Sequence, residues 1–156
     1  MFKLSYNPGG KLLFKPLSTA VYYIAEDKNI KDNLSEFEKK FKLKLSELHR
    51  KNFLSKKNKQ ITISNLKGKP ENIILHKVKT EEKFTVDYFR NHLAGLIKEI
   101  KDDELQSLHI FIPDMDVFKK FFDDEEYYYR SFLEGLSLGN YTFDKYKKEK
   151  DKTRNL

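Results

Sequence analysis

The sequence contains no cysteine and no tryptophan, and it has only six glycines and four prolines among its 156 residues. Without cysteine the chain can form no disulfide, thiol nucleophile, zinc ribbon or iron–sulfur cluster. The few glycines form neither a GxGxxG nor a GxxxxGK(S/T) pattern, and a phosphate-binding loop needs glycine because backbone N–H groups must approach the anion closely. A GxSxG motif is absent as well. These absences argue against a nucleotide or ADP-ribose site and against a serine hydrolase.

Long apolar segments are also missing. No stretch approaches the roughly 20 apolar residues of a membrane span, and residues 1–10 lack the apolar segment of a signal peptide. Hydrophobic residues make up 38% of the chain and aromatic residues 14%, which is enough apolar material for one core. We therefore expect a single cytoplasmic globular domain that does not contact a membrane.

Arginine is scarce, and lysine supplies 27 of the 31 basic side chains behind the net charge of +7. Residues 39–59 hold nine basic residues and one acid. Three of these lysines, Lys40, Lys44 and Lys51, are predicted to share the solvent-facing side of one helix. They are candidate phosphate contacts of a nucleic-acid-binding module, which is the alternative function. Lysine lacks the bidentate geometry of arginine, however, and such runs are most often simply a solvated surface.

The apolar pattern predicts strands that alternate with helices, and hence an α/β sandwich with a mixed sheet. Period-two or continuous apolar runs predict strands at Leu17–Ala25, Ile61–Leu66, Asn72–Val78 and Leu108–Pro113. Helical spacing predicts helices at Ile30–Leu54, Thr85–Lys101 and Asp123–Gly139. In the first helix, one apolar stripe is expected to contain Phe37, Phe41, Leu45 and Leu48.

The last predicted helix carries the most specific local signals. Asp123 and Glu126 resemble a capping box at its start, and Gly139 is a suitable C-terminal stop. Gly135 lies in mid-helix, where glycine costs about 1 kcal/mol relative to alanine, so we expect it to pack closely against a neighbouring element. The side chains predicted to face the core are Phe132, Leu133 and Leu136.

No catalytic or metal-ligating residue can be assigned from the residue pattern. The histidines fall singly on separate elements, without HxH or HExxH spacing, at positions His49, His76, His92 and His109. Carboxylates are plentiful, but they fall where loops and helix starts would place them in any case. By residue chemistry alone, the chain is a basic α/β domain without a catalytic constellation.

Residues 132–147 resemble the end of the N-terminal domain in the leucyl (cytosol) aminopeptidase family. In that family a helix with an EG pair and spaced leucines leads into a Tyr-x-Phe-Asp-x-Tyr-Lys stretch. The positions that carry the motif here are Glu134, Gly135, Leu136, Gly139, Tyr141, Phe143, Asp144, Tyr146 and Lys147. The order of predicted elements is similar too, so a looser resemblance covers most of the chain.

The resemblance implies a three-layer, macro-domain-like sandwich over residues 1–143, followed at 144–156 by a basic tail or linker towards a catalytic domain. In the family, two divalent metals (Zn or Mn) and the catalytic Lys and Arg belong to that second domain. Its GKG-type and NTDxEGR-type signatures have no counterpart in this sequence. We therefore expect no cofactor and no catalytic residue in this chain.

The same resemblance implies an assembly or regulatory role in a metal-dependent leucyl aminopeptidase that removes N-terminal residues from peptides. The implied partners are the chain's own C-terminal catalytic domain and a homo-hexamer of the parent enzyme, and some bacterial members also bind DNA. A small-molecule hydrolase with a macro-like fold is a third class, which the scarcity of glycine disfavours.

Overall fold

A computed structural model of the chain describes residues 14, 18–64, 70–79, 86–101, 107–118 and 121–140. The strands within these ranges are β1 (Ser18–Glu26), β2 (Gln60–Ser64), β3 (Asn72–Lys79) and β4 (Ser107–Phe111). The helices are α1 (Ile30–Phe41), α2 (Glu47–Leu54), α3 (Val86–Lys101) and α4 (Glu125–Asn140), and a short 3₁₀ turn spans Met115–Phe118. None of the described helices is long and apolar enough to cross a membrane.

The four described strands form one mixed sheet in the order β2-β3-β1-β4. Strand β1 runs parallel to both β3 and β4, whereas β2 pairs antiparallel with β3. Strand β1 is central, and its residues Ala20, Val21 and Ile24 are almost completely buried because helices cover both of its faces. The predicted mixed sheet is confirmed.

Two apolar clusters lie on opposite faces of this sheet and make the fold a three-layer sandwich. One face packs against α3 and α4 through Val21, Tyr23, Val78, Leu93, Leu96, Ile97, Phe118, Phe122, Tyr128, Phe132 and Leu136. The other packs against α1 and α2 through Ala20, Ile24, Leu34, Phe37, Phe41, Leu45, Phe53, Ile61, Ile63, Ile73 and Leu75. The predicted three-layer architecture is therefore confirmed.

The predicted single helix over residues 30–54 is wrong, because the structure has two helices there. The first ends at Lys42, whose φ of 50° is left-handed, and the second begins where the Ser46 hydroxyl accepts a hydrogen bond from the His49 N–H. The link is held by Glu38, which accepts a hydrogen bond from the Leu45 N–H. As a consequence Leu48, predicted on the buried stripe, is 65% exposed.

Both predicted ends of the last helix also need correction. The side chain that caps its start is Asp124, which accepts a hydrogen bond from the Tyr127 N–H at 3.2 Å, and not Asp123. At the other end the helix continues through Gly139 to Asn140, so Gly139 is a helical residue and not a stop. The predicted first residue of the preceding helix, Thr85, lies outside the described residues.

Candidate interaction surface on the last helix

Residues four apart build the buried side of α4. Tyr128 and Phe132 are completely buried and Leu136 nearly so, which confirms the predicted core positions at 132 and 136. The Tyr128 hydroxyl donates a hydrogen bond to the Pro113 carbonyl at 2.6 Å, and burial raises the pKa of this tyrosine. This side of the helix is therefore committed to the fold and is not available to a partner.

Two glycines bring α4 into backbone contact with α3. A Cβ added at Gly135 would lie 2.9 Å from the Arg90 carbonyl oxygen, and one at Gly139 would lie 2.6 Å from the Ala94 carbonyl oxygen. Real Cβ atoms do not approach backbone oxygen so closely, so only glycine fits at these two positions. The close packing predicted for Gly135 is confirmed, and Gly139 has the same role one helical turn later.

An ion pair joins the two helices at the level of Gly135. Arg90 Nη2 lies 2.7 Å from Glu134 Oε2, and Arg90 Nη1 lies 3.3 Å from Asp87 Oδ1. The guanidinium also lies over the ring of Tyr127, with its Cζ 5.8 Å from the ring centroid. Glu134 and Gly135 thus both take part in the contact between the helices, since the glycine lets the backbones meet and the glutamate binds an arginine of the facing helix.

Replacing Glu134 by glutamine should weaken this contact between helices. Both side chains are partly exposed, so we expect only a small fall in the free energy of unfolding in urea titrations, larger than that of the control below. The matched control is Glu126→Gln, which removes the exposed i,i+4 pair with Arg130 on the same helix, and its expected effect is about 0.3 kcal/mol. Equal losses in the two variants would contradict a specific role for the Arg90–Glu134 pair.

The opposite side of α4 exposes apolar side chains. Leu133 is 44% exposed and Leu138 is 57% exposed, so the prediction that Leu133 lies in the core is wrong. The helix turns about 100° per residue, which carries position 133 away from its buried neighbour at 132. The two leucines line a shallow depression whose surface is mainly apolar, together with Glu126, Tyr129, Arg130, Glu134 and Ser137. We call Tyr129, Leu133, Ser137 and Leu138 the outer patch.

The second half of the family motif lies outside the described residues. It comprises Tyr141, Phe143, Asp144, Tyr146 and Lys147. A structural role for these five residues therefore stays a prediction.

The three candidate phosphate-binding lysines do not share one helix. Lys40 is on α1, Lys44 is in the link after it and Lys51 is on α2. All three are exposed, but the Lys40 ammonium lies 5.3 Å from the ring centroid of Tyr22 and 5.1 Å from that of Phe111. Lys40 therefore has a cation–π role at the sheet edge, and phosphate binding by the three lysines stays a prediction.

The sequence pattern did not reveal that His76 on β3 and His92 on α3 stack, with ring centroids 4.3 Å apart. The ring of Tyr23 meets both edge-on, and the His76 ring nitrogen Nδ1 lies 3.2 Å from Gln60 Oε1. Burial, then the charges of His92 and Lys59, lowers the pKa of His76 to about 3. Burial also lowers the pKa of His92. The alternation of Ile74, His76 and Val78 along β3 could have indicated that His76 lies on a buried strand face.

Comparisons with known proteins identify the family of the chain. A family model described as the cytosol aminopeptidase family, N-terminal domain, matches residues 20–150, which include α1 to α4 and all of β2 to β4. The chain is also similar to a probable cytosol aminopeptidase of Aquifex aeolicus (strain VF5), with 28% identity over 139 residues. The alignment covers 88% of this chain and 26% of the relative, so the chain spans about a quarter of the relative's length.

Proposed function

Because the chain belongs to the cytosol aminopeptidase family, in which it corresponds to the N-terminal domain, we propose that it is the non-catalytic assembly and regulatory domain of a metal-dependent leucyl aminopeptidase. The parent enzyme removes N-terminal residues from peptides in the cytoplasm and assembles as a homo-hexamer. The observation that carries the proposal is the family match over residues 20–150. Glu134 and Gly135 belong to the stretch that resembles this family. Their position in the contact between α3 and α4 adds support to the proposal.

The catalytic chemistry belongs in a second domain after this one. That domain would hold two divalent metals, Zn or Mn, which activate water for attack on the peptide bond. In the described residues no group of three or more His, Asp or Glu side chains is placed to hold a metal, so these residues do not fit such a centre. We accordingly assign no catalytic step to this chain.

The domain boundaries follow from the same proposal. Residues 1–143 form the domain, a sandwich of macro-domain type, and residues 144–156 lead towards the catalytic domain. The parallel arrangement of β3, β1 and β4 between two helical layers supports the sandwich part of this assignment.

The proposal predicts a difference in activity between this chain and its longer parent. The purified chain should show no cleavage of a leucyl anilide with added Mn²⁺ or Zn²⁺, whereas the polypeptide encoded by the reading frame continued past Leu156 should cleave it. Addition of a chelator to the longer polypeptide is the control for metal dependence. Metal-dependent turnover by the purified chain would overturn the proposal, as would a continued reading frame without a peptidase domain.

A further inference from the structure

Strand β2 lies at one end of the sheet, and among the described residues only β3 pairs with it. Its side chains alternate between the core beneath α1 and α2 and the solvent. The strand contains no proline and no charged residue, which are the features that most often protect an exposed sheet edge against pairing. Unlike the outer patch, whose Tyr129 also packs against a core cluster, this edge has its pairing groups on the backbone.

The register of β2 on β3 shows which of these backbone groups face outward. The Lys77 N–H donates a hydrogen bond to the Lys59 carbonyl at 2.8 Å, one step before the first pair of the register. Bonded and non-bonded pairs alternate in an antiparallel ladder, so Ile61 and Ile63 make the bonds of β2 to β3. The other three residues direct their N–H and C=O groups away from β3, and we call them the outer edge. They are Gln60, Thr62 and Ser64.

The start of the outer edge is strongly basic. Lys56, Lys57 and Lys59 directly precede or adjoin it, and all three are exposed. None of them forms an ion pair with another residue in the described ranges. No acid occurs in the sequence between Lys56 and Ser64. A partner that pairs with the outer edge therefore gains electrostatic energy if it carries acidic side chains at this end.

The same charges disfavour two other occupants. A second copy of the chain would bring its own lysines and a net charge of +7 to the contact, so the two copies would repel each other. A nucleic acid would satisfy the lysines, but its sugar–phosphate backbone lacks the alternating N–H and C=O groups that match the outer edge. An extended acidic peptide satisfies both features at once.

We propose that the outer edge of β2 binds an extended acidic segment of a partner protein, which joins the sheet as an additional strand. The segment runs antiparallel to β2, the more stable pairing, and its acidic residues follow the paired part so that they meet Lys56, Lys57 and Lys59. Backbone hydrogen bonds to the outer edge supply the affinity. The exposed side chains of the outer edge are small or polar and fit many sequences, so the lysines supply the specificity.

The first test measures binding of a labelled peptide to the purified chain by fluorescence anisotropy at about 50 mM salt. The probe is acetyl-Thr-Val-Thr-Val-Thr-Asp-Asp-Asp, and saturable binding is expected. One control peptide has lysine in place of each aspartate, and the other has proline in place of each valine, which keeps the charge but prevents strand pairing. Both controls should bind at least roughly tenfold more weakly. A proline peptide that binds as tightly as the probe would overturn the proposal, because charge alone would then explain binding.

Variants of the chain test the two contributions separately. The triple variant Lys56→Gln, Lys57→Gln, Lys59→Gln should weaken binding of the probe by roughly tenfold or more. Its matched control replaces three exposed lysines before and on α1, and it should bind the probe within about twofold of wild type. The control substitutions are Lys28→Gln, Lys31→Gln and Lys39→Gln. Equal losses in the two triple variants would contradict a specific basic end of the edge.

The backbone contribution is tested by Thr62→Pro, which removes an outward N–H and leaves the bonds of β2 to β3 in place. It should abolish binding of the probe. Amide exchange of the wild type provides a second readout that needs no variant. In the chain alone the amides of Thr62 and Ser64 should exchange faster than those of Ile61 and Ile63, and saturating probe should slow the first two by roughly tenfold or more.

Three results would overturn the binding site. The first is exchange at Thr62 and Ser64 that the bound probe leaves unchanged. The second is a dimer of the chain that Thr62→Pro dissolves, which would assign the edge to a second copy. The third is a DNA duplex that displaces the probe and binds more tightly through the same three lysines. None of these measurements depends on the proposed peptidase function.

Discussion

Replacing Gly139 by alanine is expected to lower the free energy of unfolding by about 1–3 kcal/mol, although the same change normally strengthens a helix. The new Cβ would lie 2.6 Å from the Ala94 carbonyl oxygen and 2.7 Å from the Ile97 Cβ. The first obstacle is backbone and the second is the base of a side chain, so rotamer changes cannot relieve the clash and the helices must separate. For a chain of this length, the melting temperature should fall by about 2–4 °C per kcal/mol.

The matched control for this variant is Gly95→Ala on the facing helix. Gly95 lies inside α3, and beyond its own helix backbone no atom of the described residues lies within 4 Å of an added Cβ, so alanine gains helix propensity there without a clash. The expected effect is a rise in stability of about 0.5–1 kcal/mol. Since both variants make the same chemical change inside a helix, the difference between them measures the packing cost. Similar melting shifts for the two variants would show that α3 and α4 are not in backbone contact.

Gly135→Leu should act in the same direction as Gly139→Ala. Its Cβ would meet the Arg90 carbonyl oxygen and the Leu93 Cβ, both at 2.9 Å, and the larger side chain adds volume between the helices. A loss of about 1–3 kcal/mol is expected from overpacking. A thermal melt that matches wild type would contradict the contact.

Acid is expected to destabilise the domain through the stacked pair of His76 and His92. Burial and the neighbouring charges hold the pKa of His76 at about 3 in the folded chain, whereas its ordinary value is 6.5. Between these two values the unfolded chain binds more protons than the folded chain, so stability falls as the pH falls through this window. From about pH 7 to about pH 4.5, His76 alone should remove about 2–3 kcal/mol.

Buried neighbours explain why protonation of either imidazole of this pair is energetically unfavourable. The rings lie against each other and against the edge of Tyr23, and the charge of Lys59 opposes protonation of both. Gln60 is the polar side chain that meets His76, with its Oε1 atom 3.2 Å from Nδ1. A charge on either ring would therefore be buried next to a second imidazole and a lysine.

The measurement is the free energy of unfolding in urea at about pH 7 and about pH 4.5. The double variant His76→Phe, His92→Phe keeps the ring packing. Between the two pH values its free energy of unfolding should fall by less than half as much as that of the wild type. His49→Gln on α2 is the matched control and should retain the wild-type decrease, since the His49 ring takes no part in this pair. A double variant with the full wild-type pH dependence would show that other groups cause the acid sensitivity.

Most elements of the fold could be predicted from local patterns. Strand β1 was visible as an apolar run because helices cover both of its faces, and the alternation of Ile61 and Ile63 marked β2. The spacing of Tyr128, Phe132 and Leu136 identified the buried side of α4. The family resemblance was equally readable, because a helix with an EG pair is a contiguous stretch of sequence.

The break in the first predicted helix could not be read from the same patterns. Phe37, Phe41 and Leu45 are all buried, as an uninterrupted helix would require, but the left-handed Lys42 separates the third from the first two. The chain leaves the helix there because the Glu38 carboxylate binds the Leu45 N–H and pairs with Arg50. A pattern of apolar spacing does not register these polar contacts.

By itself the sequence determined which residues are apolar at which period, and hence the strands, the buried stripes, the mixed α/β class and the family. Only the tertiary structure decided which sides of those elements are covered. Gly135 contacts Arg90, Gly139 contacts Ala94 and His76 stacks on His92. Because the members of each pair are at least 16 positions apart in the chain, local patterns do not reveal these contacts. The exposure of Leu133, by contrast, follows from the helical period itself, since a turn of about 100° per residue carries position 133 away from the buried stripe of Tyr128, Phe132 and Leu136.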